Sequence, residues 1–341
     1  MTFGENIQKL RQQNHLSQEE LAEKLQVSSQ TVSLWEANQA APALENLIRL
    51  KNLFGMPIDE MLGADQAETP AINKDSLDTI CAALAYALGI EPPKMAAAKN
   101  AELAAYVDQV FAGEKADRLV MYNPDAVAQW IYQKYPEFVE RAVKNTDKEI
   151  YLSCVMPSVT PVCFGTMYTG AQPCVHGIQK YEKPVIKIDT FFDALIRAGK
   201  KVALITYGHC SLSAIFLERD LDYFHFADGG IEAVNAKAAE VILKDEHDVI
   251  VIYNGNYDAL MHKFGPESNR ALAELRANDH MFGMISELIK THWKDHNTLA
   301  GFAMDHGCHE IDGGCGSHGL DMPEDINIVH LYKGYKRNMP G

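Results

Sequence analysis

Between Leu119 and Met304, five apolar, β-branched runs alternate with helical stretches, and that alternation restricts the fold more than any other feature of the chain. The runs are Leu119–Tyr122, Ile150–Val155, Val202–Thr206, Val249–Tyr253 and Leu299–Met304. Helical patterning fills the intervals near 125–144, 189–199, 231–243 and 268–290. Parallel strands need a crossover, and a helix is the usual one. The pattern predicts an α/β domain, with a mostly parallel sheet flanked by helices. Open sheets of this kind bind ligands outside the carboxyl ends of their strands. Polar residues that follow the runs are therefore delivered to one edge.

Thr160, Asp258, His262, Asp305, His306 and His318 lie beyond those runs, and together they suggest a metal-assisted site with a hydroxyl nucleophile. Thr160 stands at the turn into a helix beginning near Pro161, where free N–H groups and the helix dipole favour an anion. Asp258 and His262, four residues apart, share one helix face and can grip one metal ion. Asp305-His306-Gly307 follows a strand, which suggests ligands on a tight turn. In Gly316-Ser317-His318-Gly319 the glycines allow close backbone approach to a metal. Asp125 follows the run LVMY and precedes a helix expected near Ala126, so it reads both as a ligand and as a helix N-cap.

The first 63 residues have a different pattern. Apolar residues recur at helical spacing: Ile7 and Leu10, Leu21 and Leu25, Val32 and Trp35, then Leu44, Leu47, Ile48 and Leu50. Asn14-His15 breaks the first helix, Ser17 and Glu20 form a capping box for the second, and Ser28 caps the third. The segment LSQEELAEKLQVSSQTVSLWE resembles the Cro/repressor-type helix-turn-helix family. That resemblance implies a recognition helix over residues 28–37 in the major groove of double-stranded DNA. Ser28, Ser29, Gln30, Thr31 and Ser33 would then sit at the DNA, with Gln18 on phosphate. Positions 29 and 34, often Arg or Lys in that family, are Ser29 and Leu34 here. Fewer cations mean fewer phosphate contacts. Residues 64–116 read as a linker, GADQAETPAINKD, followed by two helical stretches that form a connector.

The balance of charges narrows the classes of function. A net charge of −15 excludes a chain that coats nucleic acid along its length, and it suits carboxylates gathered around cations. Residues 1–63 are themselves mildly acidic, with five Lys and Arg against eight Asp and Glu. No stretch approaches a membrane helix. The start lacks an apolar signal core, and seven cysteines without such a signal fit reduced thiols, so a cytoplasmic location is expected.

From about Asp117 onward the ordered set of motifs resembles the alkaline phosphatase superfamily, within it the type I phosphodiesterase/nucleotide pyrophosphatase branch. P-x-x-T ending at Thr160, then TG, P and HGI, is close to that branch's nucleophile motif. D-x-x-x-H, DHG and a later HG follow in family order. The resemblance implies two divalent metal ions, zinc first, with manganese or iron compatible. Asp258, His262 and His318 would hold one; Asp125, Asp305, His306 and Thr160 the other. Thr160 would attack phosphorus and form a phosphothreonine. Phosphodiesters are the first substrate class; monoesters, phosphonates and sulfate esters are alternatives. Tyr181, after HGI, reads as packing first and as a stacking partner for a base second, and Cys154, Cys163 and Cys174 as small apolar groups.

The leading expectation is a metallophosphoesterase fused to a DNA-binding module, acting as a transcription regulator and a homodimer. One competitor is a regulator whose phosphatase-like domain senses a ligand without turnover. Another is an enzyme whose helical module serves only oligomerisation.

Overall fold

The computed structural model describes residues 2–62, 70–226 and 230–338. Two compact units divide the chain, Met1–Ala71 and Ile72–Gly341. The expected linker begins in residues 63–69, outside the described residues. The two helices expected in a connector, Thr79–Ala87 and Ala101–Val110, belong to the second unit: Ile80, Leu84, Leu103 and Val107 lie in its main core.

The described residues of the first unit form a bundle of five helices over Phe3–Gln13, Gln18–Leu25, Ser29–Glu36, Leu44–Phe54 and Ile58–Met61. Its ends follow from side-chain caps. Thr2 with Glu5 and Ser17 with Glu20 form reciprocal capping boxes, and the Ser28 hydroxyl accepts from the N–H of Thr31. Ile7, Leu21, Leu25, Val32, Trp35 and Leu50 close the core. Leu44 and Ile48, expected on the buried stripe of the fourth helix, face outward, at 70% and 46% exposure.

In the second unit an eight-stranded sheet carries the fold. The strands in chain order are β1 (Asp75–Ser76), β2 (Arg118–Pro124), β3 (Lys148–Ser153), β4 (Val202–Tyr207), β5 (Asp222–Phe226), β6 (Val249–Asn254), β7 (Thr298–Ala303), β8 (His309–Ile311), β9 (Cys315–Ser317) and β10 (Asn327–Tyr335). The spatial order is β1-β3-β10-β7-β2-β6-β4-β5, and β8 and β9 pair separately as an antiparallel hairpin. Every pairing in the large sheet is parallel except the two made by β10. Because β10 opposes both β3 and β7, those two run the same way as β2 and β6. Four carboxyl ends therefore share one edge.

Both faces of the sheet are covered, as successive residues of β2 show. The Tyr122 hydroxyl meets Asn278 on helix Asn269–His292, at 2.8 Å, and its ring packs on Phe282. Asn123, pointing the other way, accepts from the Tyr168 hydroxyl on helix Thr160–Thr169, at 3.1 Å. Burial on both faces explains why β2, β6 and β7 read as unbroken apolar runs. No described helix is long and apolar enough to cross a membrane.

Candidate metal centre

Each of the seven expected residues of the second unit reaches the carboxyl edge of the sheet. Asp125 is the first residue past β2. Asp305 and His306 follow β7, and Asp258 and His262 lie on helix Asn256–Phe264, which follows β6. Thr160 opens helix Thr160–Thr169 after the loop that leaves β3, and His318 directly follows β9. Asp125, Thr160, Asp305 and His306 are buried; Asp258 and His318 are half-buried, and His262 is exposed.

They form two contiguous trios of ligand atoms. In the deeper one, His306 Nε2 lies 3.3 Å from Asp125 Oδ1 and 3.4 Å from Asp305 Oδ2. Thr160 Oγ1 is 3.3 Å from the same Nε2 and 3.4 Å from both Asp125 oxygens. In the outer trio, Asp258 Oδ1 is 3.2 Å from His262 Nε2 and 3.4 Å from His318 Nε2. The two Nε2 atoms are 3.1 Å apart. The trios meet where the His306 and His318 rings approach, with centroids 4.2 Å apart.

Backbone carbonyls fix the state of all three imidazoles. His306 Nδ1 faces Gly307 O at 2.9 Å, His262 Nδ1 faces Gly316 O at 3.0 Å, and His318 Nδ1 faces Ser158 O at 2.9 Å. A carbonyl only accepts, so each Nδ1 carries hydrogen and each neutral ring presents its Nε2 lone pair inward. Lone pairs and carboxylates so arranged repel unless a proton or a cation lies among them. Asp258 Oδ1 and Asp305 Oδ2 are buried without a hydrogen-bond donor, which sharpens the requirement.

The electrostatics agree. Burial, then the charge of Asp125, pushes Asp305 well above the usual carboxylate range. Burial works against the charged form of His306, yet Asp305 and Asp125 together raise it well above the ordinary imidazole value. The adjoining Asp258 carboxylate, 3.2 Å away, favours the protonated ring and raises His262, whereas burial and then the neighbouring His306 lower His318. Burial disfavours the Asp258 anion, but the two imidazoles beside it outweigh that and lower its pKa.

Several local readings need correction. Asp125 caps no helix: Ala126 takes a left-handed conformation, φ 60°, and the next helix begins at Gln129 behind Ala128. The start of the Thr160 helix offers few free amides, because residue 161 is proline and the N–H groups of Val162 and Cys163 donate to Val159 O. Gly316, expected to let the backbone approach a metal, is small because protein packs on it: a Cβ there would lie 2.3 Å from Met261 Sδ and 2.8 Å from Met261 O. Tyr181 is exposed, and so is Cys174. The sequence also concealed two supporting residues. Tyr253, read only as the end of a strand, donates from its hydroxyl to Asp125 Oδ2. Ser158 holds His318 through its carbonyl and accepts from Gly319 N–H through its hydroxyl, at 3.1 Å.

In the first unit, Ser29, Gln30 and Ser33 are exposed on helix Ser29–Glu36. The hydroxyls of Ser28 and Thr31 engage each other at 2.8 Å at the helix start. Gln18 Nε2 donates to Glu36 Oε2 at 2.9 Å, and Glu36 is gripped on both oxygens by Arg11, at 2.6 and 3.0 Å.

A helix-turn-helix family model matches residues 7–61. Over 71 residues the chain is 39% identical to the HTH-type transcriptional activator BcrR of Enterococcus faecalis, spanning 21% of this chain and 35% of that one. The chain thus spans about a third of that relative. Among solved structures it is similar to murine ectonucleotide pyrophosphatase/phosphodiesterase 5, at 17% identity and TM-score 0.47, covering 57% of this chain and 58% of the other. Similar values, 16% identity, TM-score 0.46 and 59% of each chain, hold for phosphonoacetate hydrolase from Sinorhizobium meliloti 1021 in complex with phosphonoformate. The first unit is a helix-turn-helix domain with transcription regulators among its relatives. What the second unit can do is carried by the side chains at its strand ends.

Proposed function

We propose that the second unit is a metal-dependent phosphoric ester hydrolase with Thr160 as its nucleophile, joined to a first unit that binds double-stranded DNA. The observation that supports the hydrolase reading is Thr160 Oγ1, buried at a helix start and 3.3–3.4 Å from Asp125 and His306. A threonine with no more than a packing role has no need of two ionisable partners.

The residues fit a pair of divalent cations. Two donor-less buried oxygens and three inward Nε2 atoms form a mixed oxygen and nitrogen set that suits Zn²⁺, with Mn²⁺ or iron compatible. Asp258, His262 and His318 would hold one ion; Asp125, Asp305, His306 and Thr160 the other. Such ions, when bound, supply Lewis acidity that lowers the pKa of a hydroxyl and neutralises phosphoryl charge. Thr160 Oγ1 forms the bond to phosphorus as the ester oxygen leaves with its electron pair. With His306 Nε2 given over to the ion, Asp125, both oxygens of which lie 3.4 Å from Oγ1, is the acceptor within reach of the Thr160 proton. Water then cleaves the phosphothreonine, releasing the phosphoryl product and restoring the hydroxyl.

Phosphodiesters are the proposed substrate class. Metal analysis of the purified full chain, with assays on bis-p-nitrophenyl phosphate and p-nitrophenyl phosphate, tests the proposal. The expected result is about two ions per chain and diester turnover that a chelator stops and zinc restores. Bound ions without turnover of any phosphorus or sulfate ester would favour a regulator that senses its ligand instead.

For the first unit the proposal is DNA binding as a homodimer through Ser29, Gln30 and Ser33, with Ser28 and Thr31 shaping the helix start and Gln18 near phosphate. Arg11 is committed to Glu36, and few other cations exist on this unit. The logarithm of affinity should therefore fall against the logarithm of salt with a slope no steeper than about −4 per protomer. Gel-shift titrations from low to moderate salt measure it. A slope near −8 would mean that cations elsewhere bind the phosphates.

A further inference from the structure

Building on that reading of the second unit, we infer that Tyr253 is a positioning residue for cation binding: its hydroxyl donates to Asp125 Oδ2 and so turns Oδ1 towards His306. The backbone sets the pair up. Tyr253 is the penultimate residue of β6, in register with Asn123 of β2, and the Asp125 N–H donates to Asn254 O at 2.9 Å. The carboxylate therefore leaves its strand two residues beyond the level of the phenol on the adjacent one, within reach of the phenol's hydroxyl.

The ring is held on three sides. Phe164, on the helix that Thr160 opens, meets it edge-on at 5.6 Å, and the Tyr207 ring at the end of β4 lies 5.4 Å away. The third side is Gly255. A Cβ there would come within 2.3 Å of the Tyr207 hydroxyl and 2.7 Å of the Tyr253 hydroxyl, so this position excludes any larger residue. β6 before Tyr253 is Val-Ile-Val-Ile, and a phenylalanine would fill the same apolar space at residue 253. What the hydroxyl adds is a single donor, aimed at one oxygen of one carboxylate. Without it, Asp125 loses the contact that distinguishes its two oxygens. Donors of this kind behind a ligand typically change metal affinity about 10–100-fold.

The test is zinc affinity, read by competition with a chromophoric chelator on the full chain, alongside the Co²⁺ absorption spectrum. Tyr253→Phe should weaken one of two ions about 10–100-fold, the same ion that Asp125→Asn removes. The ion that Asp258→Asn removes should keep its wild-type affinity. Wild-type affinity at both positions, or equal weakening at both, overturns the inference while leaving the two-ion site standing. A wild-type chain that binds no divalent ion overturns both. Should Tyr253→Phe not fold, 3-fluorotyrosine at residue 253 keeps the shape and makes a stronger donor. It should shift the affinity of that same single ion, and no shift would defeat the assignment.

Discussion

Thr160→Ala is expected to lower kcat on phosphodiesters by about 10⁴-fold or more, a typical result of removing a covalent nucleophile from its site. The protein should still fold and still bind two ions. The fold is spared because the Thr160 side chain caps nothing: Val159 is the N-cap, and it makes no side-chain cap bond. Metal binding is largely spared because Asp125, Asp305 and His306 remain as ligand groups on the deeper side, and the outer trio is untouched. Thr160→Ser restores a hydroxyl at the same place and should recover part of the rate, which a packing role would not require. Rapid mixing with bis-p-nitrophenyl phosphate, followed by acid quench and mass measurement, would show a phosphorylated wild-type chain. Thr160→Ala turning over at the wild-type rate would remove the nucleophile from the mechanism and leave the ions as the sole agents.

How far the site can be read in advance depends on where each residue's neighbours lie. Residues at strand ends are legible, because a parallel sheet brings its carboxyl ends together however long the intervening chain. Asp125, Thr160, Asp258, Asp305 and His306 all follow from that rule. His318 is different. It reaches the edge through the β8–β9 hairpin, which the β-branched pattern does not mark, and is fixed by Ser158 from 160 residues away. Tyr253, unlike His318, gave no signal at all, since period-two burial says which face a strand residue takes, not whether its hydroxyl finds a carboxylate. β10 carries a short apolar run, Ile-Val-His-Leu-Tyr, yet its antiparallel insertion between β3 and β7 depends on the whole sheet. In the first unit the caps were legible because they act over three residues. The Arg11–Glu36–Gln18 cluster spans 25 residues and joins three helices, so no local pattern announces it.

Removing the ions should cost the second unit much of its stability, and the loss should grow with pH. An ion at about a thousand times its Kd adds ~4 kcal/mol per site, and each kcal/mol moves the melting temperature of a unit this size by about 2–4 °C. A chelator should thus lower the melting temperature by on the order of 10 °C or more near pH 8. The sign of the pH effect follows from the ligand groups. In the ion-free protein, His306 and His262 are raised above the ordinary imidazole value by Asp305, Asp125 and Asp258. Their contribution is complete below the unfolded value near 6.5 and is lost as pH rises through the folded values. Asp305, raised by burial and by Asp125, works in the same direction, because its ionisation is disfavoured in the folded state. Asp258, lowered by its imidazoles, stabilises above its unfolded value and loses that contribution as pH falls through the folded one. The ion-free protein should therefore melt highest near pH 5–6, set by these reference values, and lower at pH 8. The loaded protein follows the opposite trend over this range, since a cation needs bare Nε2 atoms and ionised carboxylates. Melting curves with zinc and with chelator at pH 5.5 and 8 measure the gap directly. Equal gaps at the two pH values would show that the three imidazoles are not the groups that hold the ions.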